Sequence, residues 1–273
     1  MEESCRLFFR EEGNSGKTIV VIHGLFGSSD NWMTIGRKLS ATNHVFMVDQ
    51  RNHGRSPHCN THSYETMKED LARFFKEHQI DKASLIGHSM GGKVAMAFAA
   101  DYPELVEKMV VVDIAPKNYL LAGENKQHRH IIKTLKNLSN NFDNYKSRGE
   151  IINFLSEQLN DPDIVMFLLK NIYHSKDNSQ FACRLNLEVL DKSLECIVGD
   201  VNEYWFNSRL PVVNYPVLFI KGEKSPYITN SDIPSIYKIY PKAQITTIPN
   251  AGHWLHSEQP VLFLEILNGF IFC

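Results

Sequence analysis

A serine between two glycines, at the end of an apolar run, is the residue best placed to do chemistry. It lies in Gly87-His88-Ser89-Met90-Gly91, a G-x-S-x-G pattern that follows the apolar residues 83–86. This pattern predicts a strand, a sharp turn that exposes the serine hydroxyl, and a helix starting directly after it. A helix N-terminus favours negative charge that develops beside it. Ser89 is therefore the candidate nucleophile.

A histidine near the end of the chain is the candidate general base. His253 lies in Asn250-Ala251-Gly252-His253-Trp254, just after the last predicted strand. A neutral imidazole can take the serine proton near pH 7 and return it to a leaving group. The alternative is His256, which falls at the start of the last predicted helix and lacks the preceding glycine turn. We prefer His253.

The acid that would orient this histidine has to be chosen among several carboxylates. The turn after the penultimate predicted strand, Gly222-Glu223-Lys224-Ser225, has a serine where many hydrolases of this type carry an aspartate. Asp113 instead follows three valines at the end of another predicted strand. Burying a carboxylate there is costly without a partner, which favours a functional role. We prefer Asp113; Glu223 and Asp232 are the alternatives.

Two glycine-containing segments follow the first predicted strands. In His23-Gly24-Leu25-Phe26-Gly27, the backbone N–H of Leu25 could pair with that of Met90 to hold a tetrahedral oxyanion. The second segment, residues 49–57, is interpreted as a structural turn in which Asp49 and Arg51 bond to backbone groups. We assign no chemistry to this second segment.

The strand and helix pattern indicates how these residues are positioned. Buried parallel strands are predicted at 18–22, 45–49, 83–87, 109–113, 217–221 and 245–248, alternating with helices. The fold class is therefore α/β, with a mostly parallel central sheet flanked by helices. Residues 1–116 and 210–273 would form the core, and 117–209 an all-helical cap inserted over the strand ends. In the cap, Asp161 and Pro162 start a helix predicted over 164–173.

The inward face of the cap should be apolar and shape the substrate pocket. Phe26 and Trp254 flank the proposed centre and are the preferred substrate contacts, together with Phe206 from the cap. Other aromatic or aliphatic cap residues could either line the pocket or pack the cap helices on each other. These are Phe154, Phe167, Leu168 and Trp205.

Composition narrows the class of protein. The 273 residues, 43% of them hydrophobic, suffice for one large domain with an insertion. The formal net charge of −2 gives no basic field, so nucleic acid is not an expected partner. The cysteines are odd in number, scattered and without C-x-x-C spacing, which predicts a reducing compartment and no disulfide framework. They are Cys5, Cys59, Cys183, Cys196 and Cys273.

The remaining expectations concern cofactors, location and assembly. His58 and His62 lack an H-E-x-x-H companion, so no metal is expected, and the chemistry needs no organic cofactor. The acidic N-terminus is unlike a signal or transit peptide, and the apolar runs are too short to cross a bilayer. We expect a cytoplasmic protein without an integral membrane segment, as a monomer or weak homo-oligomer acting on a small molecule.

Together these segments resemble the α/β-hydrolase family of the YbfF esterase type. The matching segments span most of the predicted core. They are His23-Gly24-Leu25-Phe26-Gly27, Arg51-Asn52-His53-Gly54, Gly87-His88-Ser89-Met90-Gly91-Gly92-Lys93, Asp113-Ile114-Ala115-Pro116, Ser225-Pro226-Tyr227 and Ala251-Gly252-His253-Trp254.

The resemblance implies a serine hydrolase that cleaves carboxylic esters or acyl thioesters through an acyl-enzyme on Ser89. It favours Asp113 as the acid, makes a serine at 225 ordinary, and fits the chain order Ser, Asp, His. Two other classes of function stay open. One is a cofactor-free lyase or carbon–carbon hydrolase on the same triad, and the other is a catalytically idle, ligand-binding receptor of hydrolase fold.

Overall fold

A mostly parallel sheet organises the molecule. The computed structural model describes residues 4–120, 124–175, 180–199 and 210–272, and in these the main sheet has seven strands in the order β1-β3-β2-β4-β5-β8-β9. Its first strand is antiparallel to β3, and the remaining pairs are parallel. The strands are β1 (Phe9–Glu12), β2 (Lys17–Ile22), β3 (Asn43–Val48), β4 (Ala83–His88), β5 (Val106–Val112), β8 (Val217–Gly222) and β9 (Gln244–Ile248), with β6 (Ile172–His174) and β7 (Phe181–Cys183) forming a separate pair.

Ten α-helices are described in the same residues. They are α1 (Met33–Leu39), α2 (Tyr64–Glu77), α3 (Met90–Asp101), α4 (Glu124–Asn140), α5 (Arg148–Leu159), α6 (Pro162–Leu168), α7 (Leu187–Val198), α8 (Ile233–Ile239), α9 (Leu255–Glu258) and α10 (Pro260–Ile271). None of these helices is long and apolar enough to cross a membrane.

Alternate residues of the strands pack against helices on opposite faces of the sheet. Val20 and Ile22 of β2 lie in one buried cluster with side chains of α2, α3 and α8. Ile19 and Val21 lie in the other cluster, with side chains of α1 and α10. Covering both faces requires hydrophobic side chains at consecutive positions, which explains the continuous apolar runs in the sequence. The predicted α/β class is confirmed.

The six predicted strands are all present, and their ends differ from the predicted ones by at most three residues. β1 was not among them. It is an edge strand whose residues are half-buried or exposed, so its hydrophobic pattern is weaker than that of the central strands. A half-exposed antiparallel strand has less need of consecutive apolar residues than a fully buried parallel one.

The segment between β5 and β8 differs from the all-helical insertion predicted. It holds α4, α5, α6 and α7, but β6 and β7 form an antiparallel pair within it. The helix predicted over 164–173 ends at Leu168, because a short 3₁₀ turn, Leu169–Asn171, leads directly into β6. Three-residue strands carry too little periodicity to be distinguished from a helix end. The predicted helix start is present, since the Asp161 carboxylate accepts the N–H groups of Asp163 and Ile164 at 3.0 and 3.1 Å.

One pair of cysteines is bonded, although the cysteine pattern predicted a reducing compartment and no disulfide framework. Cys5 and Cys59, 54 residues apart in sequence, form a disulfide. The chain before β1 lies beside the loop that follows β3, so residues that are scattered in sequence meet in space. A single bond between two cysteines is still not the framework of a small disulfide-stabilised domain.

Candidate active site

Ser89 lies on a sharp turn between β4 and α3. Its backbone has φ 53° and ψ −119°, an uncommon conformation for a residue with a side chain, and α3 begins at Met90. The N–H of Ser89 donates to the carbonyl of Val112 at 3.0 Å, which ties the turn to β5. A side chain on Gly91 would overlap the Ile22 carbonyl, so the glycine allows the helix to pack closely on β2.

Asp113 follows β5 and is fully buried. One of its carboxylate oxygens, Oδ2, lies 2.7 Å from Nδ1 of His253. The hydroxyl of Ser225 donates to the same oxygen, and the N–H of Gly222 donates to Oδ1 at 3.0 Å. The sequence suggested Asp113 as the partner of His253, but not the donors Gly222 and Ser225, which lie 109 and 112 residues further along the chain.

The loop that carries His253 is held from several directions. The His88 imidazole donates from Nε2 to the main-chain carbonyl of His253 at 2.9 Å. The Glu258 carboxylate accepts the N–H groups of the two neighbouring residues, Gly252 at 2.7 Å and Trp254 at 3.2 Å. Tyr227 stacks on the His253 ring, with the ring centres 4.0 Å apart. His88 and Glu258 were missed by the sequence reasoning, which weighed each residue type at its own position rather than its contacts.

The rival residues are engaged elsewhere. His256 stacks on Trp32 with the ring centres 4.2 Å apart, and its burial lowers its pKa to about 3. The Glu223 carboxylate accepts the N–H of Asn250 at 2.8 Å. Asp232 pairs with Lys117 at 2.7 Å.

The segment after β2 forms a tight turn beside Ser89. The N–H of Gly27 donates to the carbonyl of Gly24 at 2.9 Å, and Phe26 has a positive φ of 62°. Leu25 and Met90, the two predicted oxyanion donors, line a small cavity of about 30 Å³ together with Ser89. Their N–H groups thus belong to segments that meet at the candidate nucleophile.

A larger cavity opens on the other side of Ser89. It has a volume of about 270 Å³ and is also lined by His253, Phe26 and Trp254. The insertion contributes mainly apolar side chains to it, among them Ile131, Ile164, Phe167 and Leu168. Phe154 packs instead against Tyr145, with the ring centres 5.8 Å apart. Trp205 and Phe206 lie outside the described residues.

The turn after β3 is bonded to the segment after β2, since the N–H of Gln50 donates to Nε2 of His23 at 2.9 Å. As expected, the Asp49 carboxylate accepts backbone N–H groups, those of Ser29 at 2.6 Å and Arg55 at 2.8 Å. Within the described residues, Arg51 bonds to side chains and not, as predicted, to the backbone. Its guanidinium forms a buried two-point pair with Asp70, with both contacts at 2.6 Å. A planar guanidinium matches a carboxylate better than a single carbonyl, and α2 places one within reach.

Comparison with known proteins identifies the family of the chain. Residues 17–260 match the family model of the α/β hydrolase fold. The chain is 32% identical to esterase YbfF of Escherichia coli K12 over 99% of both chains. It is 36% identical to the sn-1-specific diacylglycerol lipase ABHD11 of Danio rerio, over 93% of this chain and 78% of that one.

Solved structures give the same result. A marine microorganism esterase, 43% identical, superposes with a TM-score of 0.92 over 98% of this chain and 100% of its own. An E-2-(acetamidomethylene)succinate hydrolase at 19% identity, with a TM-score of 0.79 over 98% and 96% of the two chains, shares the fold. The chain belongs to the α/β-hydrolase family, in the group that includes esterase YbfF.

Proposed function

We propose that this protein is a serine hydrolase that cleaves carboxylic esters or acyl thioesters through an acyl-enzyme on Ser89. The contact between His253 and Asp113 carries the proposal, because it lies at a cavity that Ser89 also lines. With its Nδ1–H donated to Asp113, the imidazole has Nε2 free of that proton and suited to act as a base. His253 would deprotonate Ser89 as the serine attacks, then protonate the leaving group.

The oxyanion would be held by backbone donors. The N–H groups of Leu25 and Met90 would stabilise the charge that develops on the carbonyl oxygen, and the N-terminus of α3 would add to that field. Water would then hydrolyse the acyl-enzyme, again with His253 as base. Each of these steps uses groups of the chain, the substrate and water.

The insertion would decide which ester is accepted. We propose that residues 117–209 act as a cap over the strand ends, whose apolar side chains in the larger cavity receive an acyl chain or a hydrophobic alcohol. The esterase and lipase names of the relatives support an ester substrate.

Initial rates on p-nitrophenyl esters, from acetyl to palmitoyl, test the proposal. We expect the wild type to be active, and Ser89→Ala and Asp113→Asn each to lose about a thousandfold or more in kcat. The chain length with the highest rate would measure the room in the cavity. Inert wild-type protein that is well folded would contradict the proposal and favour a lyase or an idle receptor.

Matched variants distinguish the proposed residues from their rivals. His253→Gln should abolish activity, whereas His256→Gln should retain most of it. Glu223→Gln is the control for Asp113→Asn, because the Glu223 carboxylate accepts the backbone N–H of Asn250. Labelling by a fluorophosphonate that disappears in Ser89→Ala would identify the nucleophile independently of substrate choice.

A further inference from the structure

The turn that carries the proposed oxyanion donor is held in a conformation that its sequence does not favour. Gly24 and Gly27 close a four-residue turn, and Phe26, its third residue, has φ 62°. A positive φ at this position is typical of a type II turn and is usually taken by glycine or asparagine. For a bulky residue such as phenylalanine it is a rare conformation. The contacts around Phe26 must therefore maintain it.

His53 holds the turn from the core side. The N–H of Phe26 donates to Nε2 of His53 at 3.1 Å, and Nδ1 of the same ring lies 3.0 Å from the carbonyl of Arg51. A carbonyl can only accept, so the ring proton sits on Nδ1 and leaves Nε2 as an acceptor. Burial lowers the pKa of His53 well below its usual value, which keeps the ring in this neutral form.

Asn171 holds the same residue from the insertion. Its side-chain amide donates to the carbonyl of Phe26 at 2.8 Å, although the two residues are 145 positions apart in sequence. Both residues are buried, with 2% of Asn171 and 3% of Phe26 exposed. The two polar groups of the Phe26 backbone are thus each bonded, one to the core and one to the insertion.

The backbone that presents Asn171 is itself fixed. The guanidinium of Arg148, at the start of α5, donates to the carbonyls of Leu169 and Ile172 at 2.9 and 3.1 Å, on either side of Asn171. The carbonyl of Asn171 accepts the N–H of Arg184 at 2.9 Å. The backbone of Asn171 is therefore fixed by hydrogen bonds. A residue that positions another group needs such support.

We propose that Asn171 is a positioning residue for the oxyanion hole, a role that rests on the function proposed above. By bonding the Phe26 carbonyl, it keeps the turn in the form that directs the Leu25 N–H at the reacting carbonyl. Without this bond the positive φ of Phe26 would relax towards a negative value, which would shift the backbone of the turn and with it the Leu25 N–H. Docking of the insertion is in this way coupled to the completeness of the catalytic site.

The test is the kinetics of Asn171→Asp with the best p-nitrophenyl ester. Aspartate has nearly the same shape as asparagine but, when ionised, cannot donate to the Phe26 carbonyl. We expect kcat to fall at least tenfold, since small displacements of catalytic groups are costly. KM should change much less than kcat, because Gly24, Leu25 and Phe26 form only part of the cavity wall. Asn171→Ala, which introduces no charge, should give the same separation of kcat from KM.

Asn186→Asp is the matched control. The Asn186 side chain also joins the insertion to the core, donating to Oδ1 of Asn52 at 3.0 Å, but it does not touch the oxyanion turn. We expect Asn186→Asp to lower Tm by about as much as Asn171→Asp does, and to keep kcat within twofold of wild type. Equal losses of kcat in the two aspartate variants, or an unchanged kcat in Asn171→Asp, would overturn the role of Asn171 alone. A folded but inert wild type would overturn the proposed function and this inference together.

Discussion

Asp113 is the residue at which three distant segments of the chain converge. Its carboxylate, which follows β5, accepts bonds from Gly222 at the end of β8, from Ser225 in the next turn, and from His253 after β9. A buried carboxylate needs such donors, because an unpartnered charge in the protein interior is strongly destabilising. Ser225 occupies the turn where the sequence pattern led us to look for an acid. From that turn, the Ser225 hydroxyl donates a hydrogen bond to Asp113.

Loss of the Ser225 hydroxyl should slow the reaction without abolishing it. Ser225→Ala removes one donor to Asp113 but leaves the contact between Asp113 and His253 intact. A hydrogen bond to a charged group contributes about 1.5–3 kcal/mol, so we expect kcat to fall about ten- to a hundredfold, less than in Asp113→Asn. Steady-state kinetics on one ester would measure both variants. Ser231→Ala, an exposed serine in the following segment, is the control. Equal losses in Ser225→Ala and Asp113→Asn would contradict this view.

The sequence predicted single residues better than it predicted their partners. Ser89, Asp113 and His253 could be chosen because each follows an apolar strand pattern, and parallel strands end at one edge of the sheet. The contact of Asn171 with Phe26 gave no such signal, because neither a lone asparagine in an insertion nor a phenylalanine in a turn indicates its partner. Arg51 was likewise assigned to the backbone because Asp70, its true partner, lies on α2.

At the scale of elements, the turns after the strands hold one another in place. The turn after β3 supports the turn after β2 through His53, and His88 at the end of β4 bonds to the loop after β9. The strands and the start of α6 could be predicted because periodicity and capping are local signals. The β6–β7 pair could not, since it depends on pairing between two segments of three residues.

Glu258 should matter through the shape of the histidine loop. Glu258→Ala removes both acceptors that fix the N–H groups of Gly252 and Trp254, so we expect His253 to be less well oriented and kcat to fall several-fold. Glu258→Gln keeps one acceptor oxygen and should lie between the alanine variant and wild type. Glu265→Ala, an exposed glutamate on α10, controls for the lost charge. Wild-type kcat in Glu258→Ala would show that His88 and Tyr227 suffice to orient the loop.

At the scale of the whole molecule, the loop after β3 links segments that are far apart in sequence. The Cys5–Cys59 disulfide ties the start of the chain to the loop after β3, and Asn186 of the insertion bonds to Asn52 in that same loop. The loop also carries His53. One loop therefore joins the N-terminal segment, the insertion and the turn after β2.

Buried neutral histidines should make the fold sensitive to acid. Burial lowers the pKa values of His62 and His256 to about 3, and lowers those of His23, His53 and His88 as well. In the unfolded chain a histidine titrates near pH 6.5, so below that pH the unfolded state binds protons that the native state does not. Stability present above pH 6.5 is therefore lost as the pH falls towards 3, by up to about 1.4 kcal/mol per pH unit for each such histidine.

Urea unfolding at pH 5, 6, 7 and 8 would measure this loss. We expect the free energy of unfolding to fall steeply from pH 6 to 5 and to change little from 7 to 8 as far as these histidines are concerned. The slope of the free energy of unfolding against pH gives the number of protons that the chain takes up on unfolding. His256→Gln should lower this number between pH 6 and 5 by up to one, whatever its effect on stability at pH 7. His130→Gln, at an exposed position, should leave it unchanged. A wild-type slope below one proton between pH 6 and 5 would mean that the histidines become protonated within the native state. The packing of the buried histidines next to the proposed oxyanion turn would then weaken before the chain unfolds. Activity would be lost at a higher pH than the pH at which the native structure unfolds.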